Sequence, residues 1–402
     1  MTTPLLHIIG AGPWQLATIR RARALGCRVL VTDGGSGRPG FAEADLHAVA
    51  DITDPEATLA AARRHRIDGV LCDTTDNGVL AAAYVADTLG LPGPGLTAAR
   101  NCTDKARLTA CAAQAGLPVP RSHPAANAAE ALQAVHDVLG TGGAAIVKPV
   151  DNQSGRGVGV VRTAALAAAA IAHALRYSAS GRLLVQPFVE GVELIIDSLV
   201  VGRQVHRLGI GVKTPYADNP TISSAITYGE PASPLPLATL DAINKRLLQA
   251  LQVQQGLVHA EYIVGGQHAL PIDVAVRGGG VLIYPLVLPH VSGVDAMACA
   301  IDLALGRPVT VQPRQPPRGA HIQFLRADSG RILRIDGADI ALAMPGIAAL
   351  RLNQQPGDMQ AALTDKDQRL GYVIALADTA AQARAQALRA AQVVQVKVQP
   401  PS

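Results

Sequence analysis

His259-Ala-Glu261-Tyr-Ile-Val-Gly265-Gly-Gln-His-Ala-Leu270-Pro-Ile-Asp273-Val-Ala275-Val-Arg277-Gly-Gly-Gly280 holds two alternating apolar runs around a glycine pair. Alternation with a period of two is the signature of strands, and glycine between two such runs marks a hairpin. In the second run Ile272, Val274 and Val276 point one way; Asp273, Ala275 and Arg277 point the other. The length of the turn then decides where Glu261 lies. A two-residue turn sets Glu261 and Asp273 on opposite faces, and a three-residue turn, Gly265-Gly-Gln267, sets them on the same face. Two carboxylates held together in a partly dry site repel unless a cation lies between them. Oxygen ligands that leave room for water and phosphate suit Mg²⁺, with Mn²⁺ as a substitute. The glycines that follow allow a substrate to approach Arg277. An exposed polar face reads the same way when this stretch is taken alone.

Four upstream features place this hairpin in a larger pattern. Thr103-Asp-Lys105 opens a helix that Thr103 or Asp104 can cap, leaving Lys105 near its positive end. Ala144-Ala-Ile-Val-Lys148-Pro149 is an apolar strand with one lysine inside it. A buried ammonium requires an anion, either a carboxylate or a phosphate. Ser154-Gly155-Arg156-Gly157-Val158 is a glycine-rich turn, able to aim backbone N–H groups and a guanidinium at phosphate oxygens; a tight hairpin looks the same. In Leu184-Val-Gln186-Pro-Phe188-Val189-Glu190-Gly-Val-Glu193, the backbone at Phe188 and Val189 suits the edge of an adenine, and Glu193 suits ribose hydroxyls. An ordinary strand–turn–strand is the alternative.

The chain of 402 residues is too long for one core. Its first part alternates short strands (5–9, 28–32, 69–72) with helices (16–25, 55–65, 78–89), which predicts a parallel α/β sheet. Gly10-Ala-Gly12-Pro13-Trp-Gln15 with Asp33 imitates a dinucleotide-binding turn. Gln15 stands where the third glycine belongs, however, and Pro13 has no N–H to offer a pyrophosphate. Leu91-Pro-Gly-Pro-Gly95 and the Pro-rich Arg307–Arg318 suggest boundaries, and a final helix is expected over 379–391. The predicted architecture is α/β and α+β, divided into 1–95, 96–306 with a lid at about 118–190, and 307–402.

Nearly half of the residues are hydrophobic, charged residues are 16% and the net charge is only +4, which describes a globular chain. The absence of a basic run and the scarcity of aromatics argue against nucleic acid as a partner. Five cysteines without a Cys-x-x-Cys pair read as buried thiols of a reducing compartment. The start of the chain lacks a basic, long apolar leader, and no stretch of about 18 apolar residues occurs, so a cytoplasmic protein without a membrane span is expected.

In type and order, the five features together resemble the ATP-grasp superfamily, and the resemblance extends over almost the whole chain. Gly330-Arg-Ile-Leu-Arg-Ile-Asp336 and Arg369-Leu-Gly-Tyr-Val-Ile-Ala375 are similar to the last domain of its amino-acid ligases. The resemblance implies an ADP-producing carboxylate–amine ligase working through an acyl phosphate on small-molecule carboxylates and amines, in particular amino acids, and usually dimeric. Carboxylation of an amine through carboxyphosphate, or ATP binding without turnover, are the alternatives within it. It gives Lys105 and Lys148 to ATP, residues 154–158 to the β- and γ-phosphates, Gln186, Phe188 and Val189 to adenine, and Glu193 to ribose. Lys213 would lie near the γ-phosphate, Glu261 and Asp273 on Mg²⁺, and Arg277 on the transferring phosphate or the substrate carboxylate. The region Tyr216–Ser233, including Tyr228, would face the substrate. The chain departs from the family pattern at Gln186, an acid elsewhere, at Asp273, elsewhere Glu, and at Ala275, which replaces an Asn ligand and leaves that position to water.

Overall fold

The computed structural model describes residues 3–153, 155–229 and 233–400; Ser154 and Glu230 lie outside the described residues. Strands Leu46–Val49, Arg28–Asp33, Leu5–Ile9 and Gly69–Leu71 form a parallel sheet in that order. The predicted strands and helices of this part are present, and Leu46–Val49 is an additional edge strand that the sequence reading missed. Only half buried, Leu46-His-Ala-Val49 gives a weak apolar signal. The Gly10 turn has little to offer a pyrophosphate. Ala11 N–H donates to Asp33 (3.0 Å) and Gly12 N–H to the Gln15 side chain (3.1 Å), so both are satisfied within the protein.

A second sheet orders His123–Ala125, Leu183–Pro187, Ala145–Pro149 and Gly159–Val161 as antiparallel neighbours, covered by helices Ala128–Leu139 and Ala167–Arg176. Strands Ala145–Pro149 and Gly159–Val161 part after the pair Val147 and Gly159, which frees the stretch carrying Gly155–Val158 as a loop over the site. At Gly157 φ is +73°, and a Cβ would lie 2.8 Å from the Pro149 ring, so only glycine fits.

The third sheet is antiparallel and has eight strands, with Val192–Val201 and Gln204–Tyr216 near its middle. It continues from Asn219–Tyr228 directly into Gly319–Leu325 and then Gly371–Ala377, so hydrogen bonding crosses the position expected to divide the last two segments. Helix Ala380–Val393, opened by a capping box between Thr379 and Gln382, packs on that end. Tyr228, Tyr262 and Tyr284 are the bulkiest wholly buried side chains, in a core made mostly of aliphatic ones. No single described helix is long and apolar enough to cross a membrane.

Candidate active site

The hairpin that opened the sequence reading sits at the edge of the eight-stranded sheet, and its turn differs from the one expected. Gly265 pairs with His268, leaving a two-residue turn, Gly266-Gln267. That parity alone would set Glu261 against Ile272. A bulge between Glu261 and Tyr262 shifts the register by one residue, so Glu261 pairs with Asp273 after all. The two acids therefore share a face through a short turn and a bulge, not through a three-residue turn.

That face lines a cavity of about 270 Å³ between the second sheet and the eight-stranded one. Six Lys and Arg side chains line it against three carboxylates. Lys213, buried on the adjoining strand pair, bridges Glu193 and Glu261, the latter at 2.6 Å. Burial pushes its ammonium down, but the two acids outweigh that and hold its pKa above the ordinary value. Lys105 begins helix Lys105–Gln114, capped by Asp104, and reaches Asp273 at 3.2 Å and the Asn152 carbonyl at 2.7 Å. Lys148 is different. It is buried and has no carboxylate within 4 Å among the described residues. Burial and the neighbouring Lys105 lower its pKa to about 8, with Asp273 and Glu261 opposing. An ammonium in that position lacks an anion.

At the other end, the Gln186 amide N donates to Ser122 Oγ (2.5 Å), which turns its carbonyl oxygen free. Phe188 N–H is taken by the Ala144 carbonyl (2.7 Å), so that one group of the two residues expected at an adenine edge is already engaged. Glu193 faces the same cavity but is engaged by Lys213. Arg277 is forked by Asp76, which opens the short turn Asp76–Gly78 after strand Gly69–Leu71, at 2.7 and 2.8 Å. The glycine-rich loop reaches the last part of the chain, where Arg156 lies 3.4 Å from Asp367. Of the loop residues, Gly155 and Val158 line the cavity and Ser154 is outside the described residues.

Several lining or supporting groups escaped the sequence reading. Lys366 and Arg369 reach the cavity from the C-terminal part of the chain, and burial lowers the pKa of each, that of Arg369 to about 10. No motif marked them. His259 shares the Glu261 face by simple alternation, two residues before it. Its Nδ1 lies 2.7 Å from Asp197, a fully buried acid that also accepts from the Tyr228 hydroxyl at 2.6 Å. Burial lowers the His259 pKa, and Asp197 more than offsets this, raising it to about 9. Tyr228 was expected to face the substrate; its ring is instead wholly buried, and Thr221, Ser223 and Ile226 present that strand to the cavity.

Comparison with known proteins agrees with this architecture. The chain is 27% identical to the formate-dependent phosphoribosylglycinamide formyltransferase of Burkholderia thailandensis over 96% of its own length and 94% of that protein's. It superposes on the L-amino acid ligase of Bacillus licheniformis with a TM-score of 0.81 over the whole of both chains, at 19% identity. Residues 323–399 match the family described as L-amino acid ligase C-terminal domain 2. The chain has the fold of the ATP-grasp ligases. Another ATP-grasp neighbour is the biotin carboxylase domain of Hydrogenobacter thermophilus 2-oxoglutarate carboxylase, solved with magnesium ADP and bicarbonate. Its TM-score is 0.74 at 15% identity over 99% of this chain and 91% of that one. An uncharacterized Sinorhizobium fredii protein, y4rH, is 30% identical over 79% of this chain, which spans 65% of that protein's length.

The residues present fit what ATP-grasp enzymes bind. A surplus of cations around an ammonium without a counter-ion suits a triphosphate, and two carboxylates paired across the hairpin, the third acid Glu193 being held by Lys213, suit Mg²⁺ completed by phosphate oxygens and water. Ala275, opposite His259, adds no ligand.

Proposed function

We propose that this chain is an ATP-dependent carboxylate–amine ligase that forms an amide or peptide bond between small molecules, amino acids in particular, and releases ADP and phosphate. The observation that carries this reading is the cavity's charge: six cations converge there, three of which (Lys148, Lys366 and Arg369) have no carboxylate within 4 Å among the described residues, around the paired acids Glu261 and Asp273. In the reaction a substrate carboxylate oxygen attacks the γ-phosphorus of ATP and ADP leaves. The amine nitrogen then attacks the acyl carbon, phosphate leaves, and the amine's proton passes to solvent.

The protein's work is alignment and charge neutralisation. Lys105 and Lys148 hold the nucleotide phosphates, with Gly155–Val158 closing over them. Gln186, the Phe188 carbonyl and the Val189 N–H hold adenine, and Glu193 exchanges Lys213 for the ribose. Glu261 and Asp273 would hold Mg²⁺, which supplies charge neutralisation at the transferring phosphoryl group. Lys213 and Arg277 stabilise negative charge on reacting oxygens, and Lys366 and Arg369 extend the positive wall toward the acid substrate. The loop over the site excludes water from a hydrolysable acyl phosphate. The same reading divides the chain at about residues 95 and 306 and makes a homodimer the assembly.

The deciding measurement is ADP release from Mg-ATP against amino acids, singly and in pairs, with and without bicarbonate. Release that requires two amino acids is expected. Release that requires bicarbonate and one amine makes the enzyme a carboxylase, and ATP binding without stimulated release makes it a regulator.

A further inference from the structure

Arg277 does not reach the cavity as a free cation. Asp76, just past the carboxyl end of strand Gly69–Leu71, takes its Nε at 2.7 Å and its Nη2 at 2.8 Å in a side-on fork. Nη1 donates to the Gly278 carbonyl at 2.8 Å. A guanidinium has further N–H donors on the edge between Nη1 and Nη2, and these are left for another anion. The contact is fastened on both sides. Gly278 N–H donates to the Asp73 carbonyl at 2.6 Å, and the Asp73 carboxylate is itself held by Thr18 (2.5 Å) and Gln15 (3.3 Å). The Asp76 N–H meets Gln153 at 3.3 Å, at the root of the glycine-rich loop. Asp76 thus joins three parts of the fold at a side chain that faces the site.

A salt bridge that only tied two sheets together would need no cavity-facing partner. Arg277 lines the cavity beside Asp273 and Gly280, and its side chain keeps only 12% of its exposure. Without Asp76 that charge would be buried, unpaired and free to swing toward Asp273. We propose that Asp76 is a positioning residue: by occupying the side of Arg277 it aims the remaining edge of the guanidinium at the carboxylate of the acid substrate. This rests on the ligase reading above.

The test compares Asp76→Asn and Asp76→Glu with the unaltered enzyme, using the amino-acid pair that stimulates ADP release. Asp76→Asn keeps the shape and loses the charge. It is expected to raise KM for the acid substrate about 10- to 100-fold while KM for ATP changes less than about threefold. Asp76→Glu, which restores the charge one methylene further out, should fall between the two and serves alone if the Asn variant does not fold. With Arg277→Lys already in place, Asp76→Asn should add little, because the two act as one unit. A folded Asp76 variant with unaltered KM for the acid overturns the assignment, as does one that weakens ATP and acid equally. An unaltered enzyme that releases ADP with no acid overturns the ligase reading and this inference together; an active enzyme with an indifferent Asp76→Asn variant overturns this inference alone.

Discussion

Glu261 stands directly opposite Asp273 across two strands, although only two residues turn the chain between them. The bulge that restores the pairing has a chemical consequence. Two carboxylates share one face of the cavity, and each draws in an ammonium: Lys213 lies 2.6 Å from Glu261, and Lys105 lies 3.2 Å from Asp273. The protein balances this charge internally; in the proposed ligase the lysines would turn to phosphate oxygens when a nucleotide and its metal arrive.

Glu261→Gln and Asp273→Asn should each lower Mg²⁺-dependent ADP formation by about 100-fold or more, since each would remove one of the two proposed protein ligands, and Asp273→Asn also leaves Lys105 without its acid while Lys213 keeps Glu193. A Mg²⁺ titration at fixed ATP checks this. An unchanged Mg²⁺ requirement in either variant would take that residue out of the metal site.

Ala275 pairs with His259 and lies on the cavity face two residues beyond Asp273, so an amide placed there should add an oxygen ligand. Ala275→Asn is expected to lower the Mg²⁺ concentration for half-maximal nucleotide binding by about threefold to tenfold, without loss of folding. A weaker Mg²⁺ response would mean that Asn blocks the substrate path instead of serving the metal.

Residues in regular strands were legible in the sequence because alternation fixes the face of a side chain. Asp273, Ala275 and Arg277, set on one face by that rule, all line the cavity; Lys148, Gln186 and Glu193, read from their motifs and not from alternation, line it too. His259 was within reach of the same rule, two residues before Glu261. The bulge was not, because nothing in Leu270-Pro-Ile-Asp273 reports which register the partner strand adopts. Lys366, Arg369 and Asp76 escaped for another reason. They come from segments far along the chain that meet the site only through tertiary packing, Asp76 from a loop over 200 residues from Arg277. Asp76 does obey one general rule: side chains at the carboxyl ends of parallel strands gather at binding crevices.

Asp197 shows how much of the site's geometry rests on a buried acid. It is 1% exposed and takes hydrogen bonds from Tyr228 and His259. Asp197→Ala would leave a buried hydroxyl and a buried imidazolium without an acceptor, at a cost of about 3–5 kcal/mol in stability. Asp197→Asn, which can still accept, should cost less. Denaturant unfolding of the two variants gives the comparison; equal, small losses would show that Asp197 is not the acceptor for these groups.

Lys148 supplies the pH dependence. Its pKa in the free protein is lowered to about 8, against 10.5 for an exposed lysine. Between those values the unfolded chain binds more protons than the folded one, so this group's contribution to stability rises as pH climbs from 8 toward 10.5. Nucleotide binding carries the opposite sign. A phosphate beside Lys148 favours the ammonium, so affinity is greatest below pH 8 and declines above it, by up to about tenfold per pH unit until the pKa of the complex is reached. Titrating a non-hydrolysable ATP analogue between about pH 7 and 9.5 should show that decline. Lys148→Met should bind more weakly at pH 7 and lose much of the slope. If the unaltered protein holds a constant affinity across this range, Lys148 does not touch the phosphates, and its low pKa reflects burial alone.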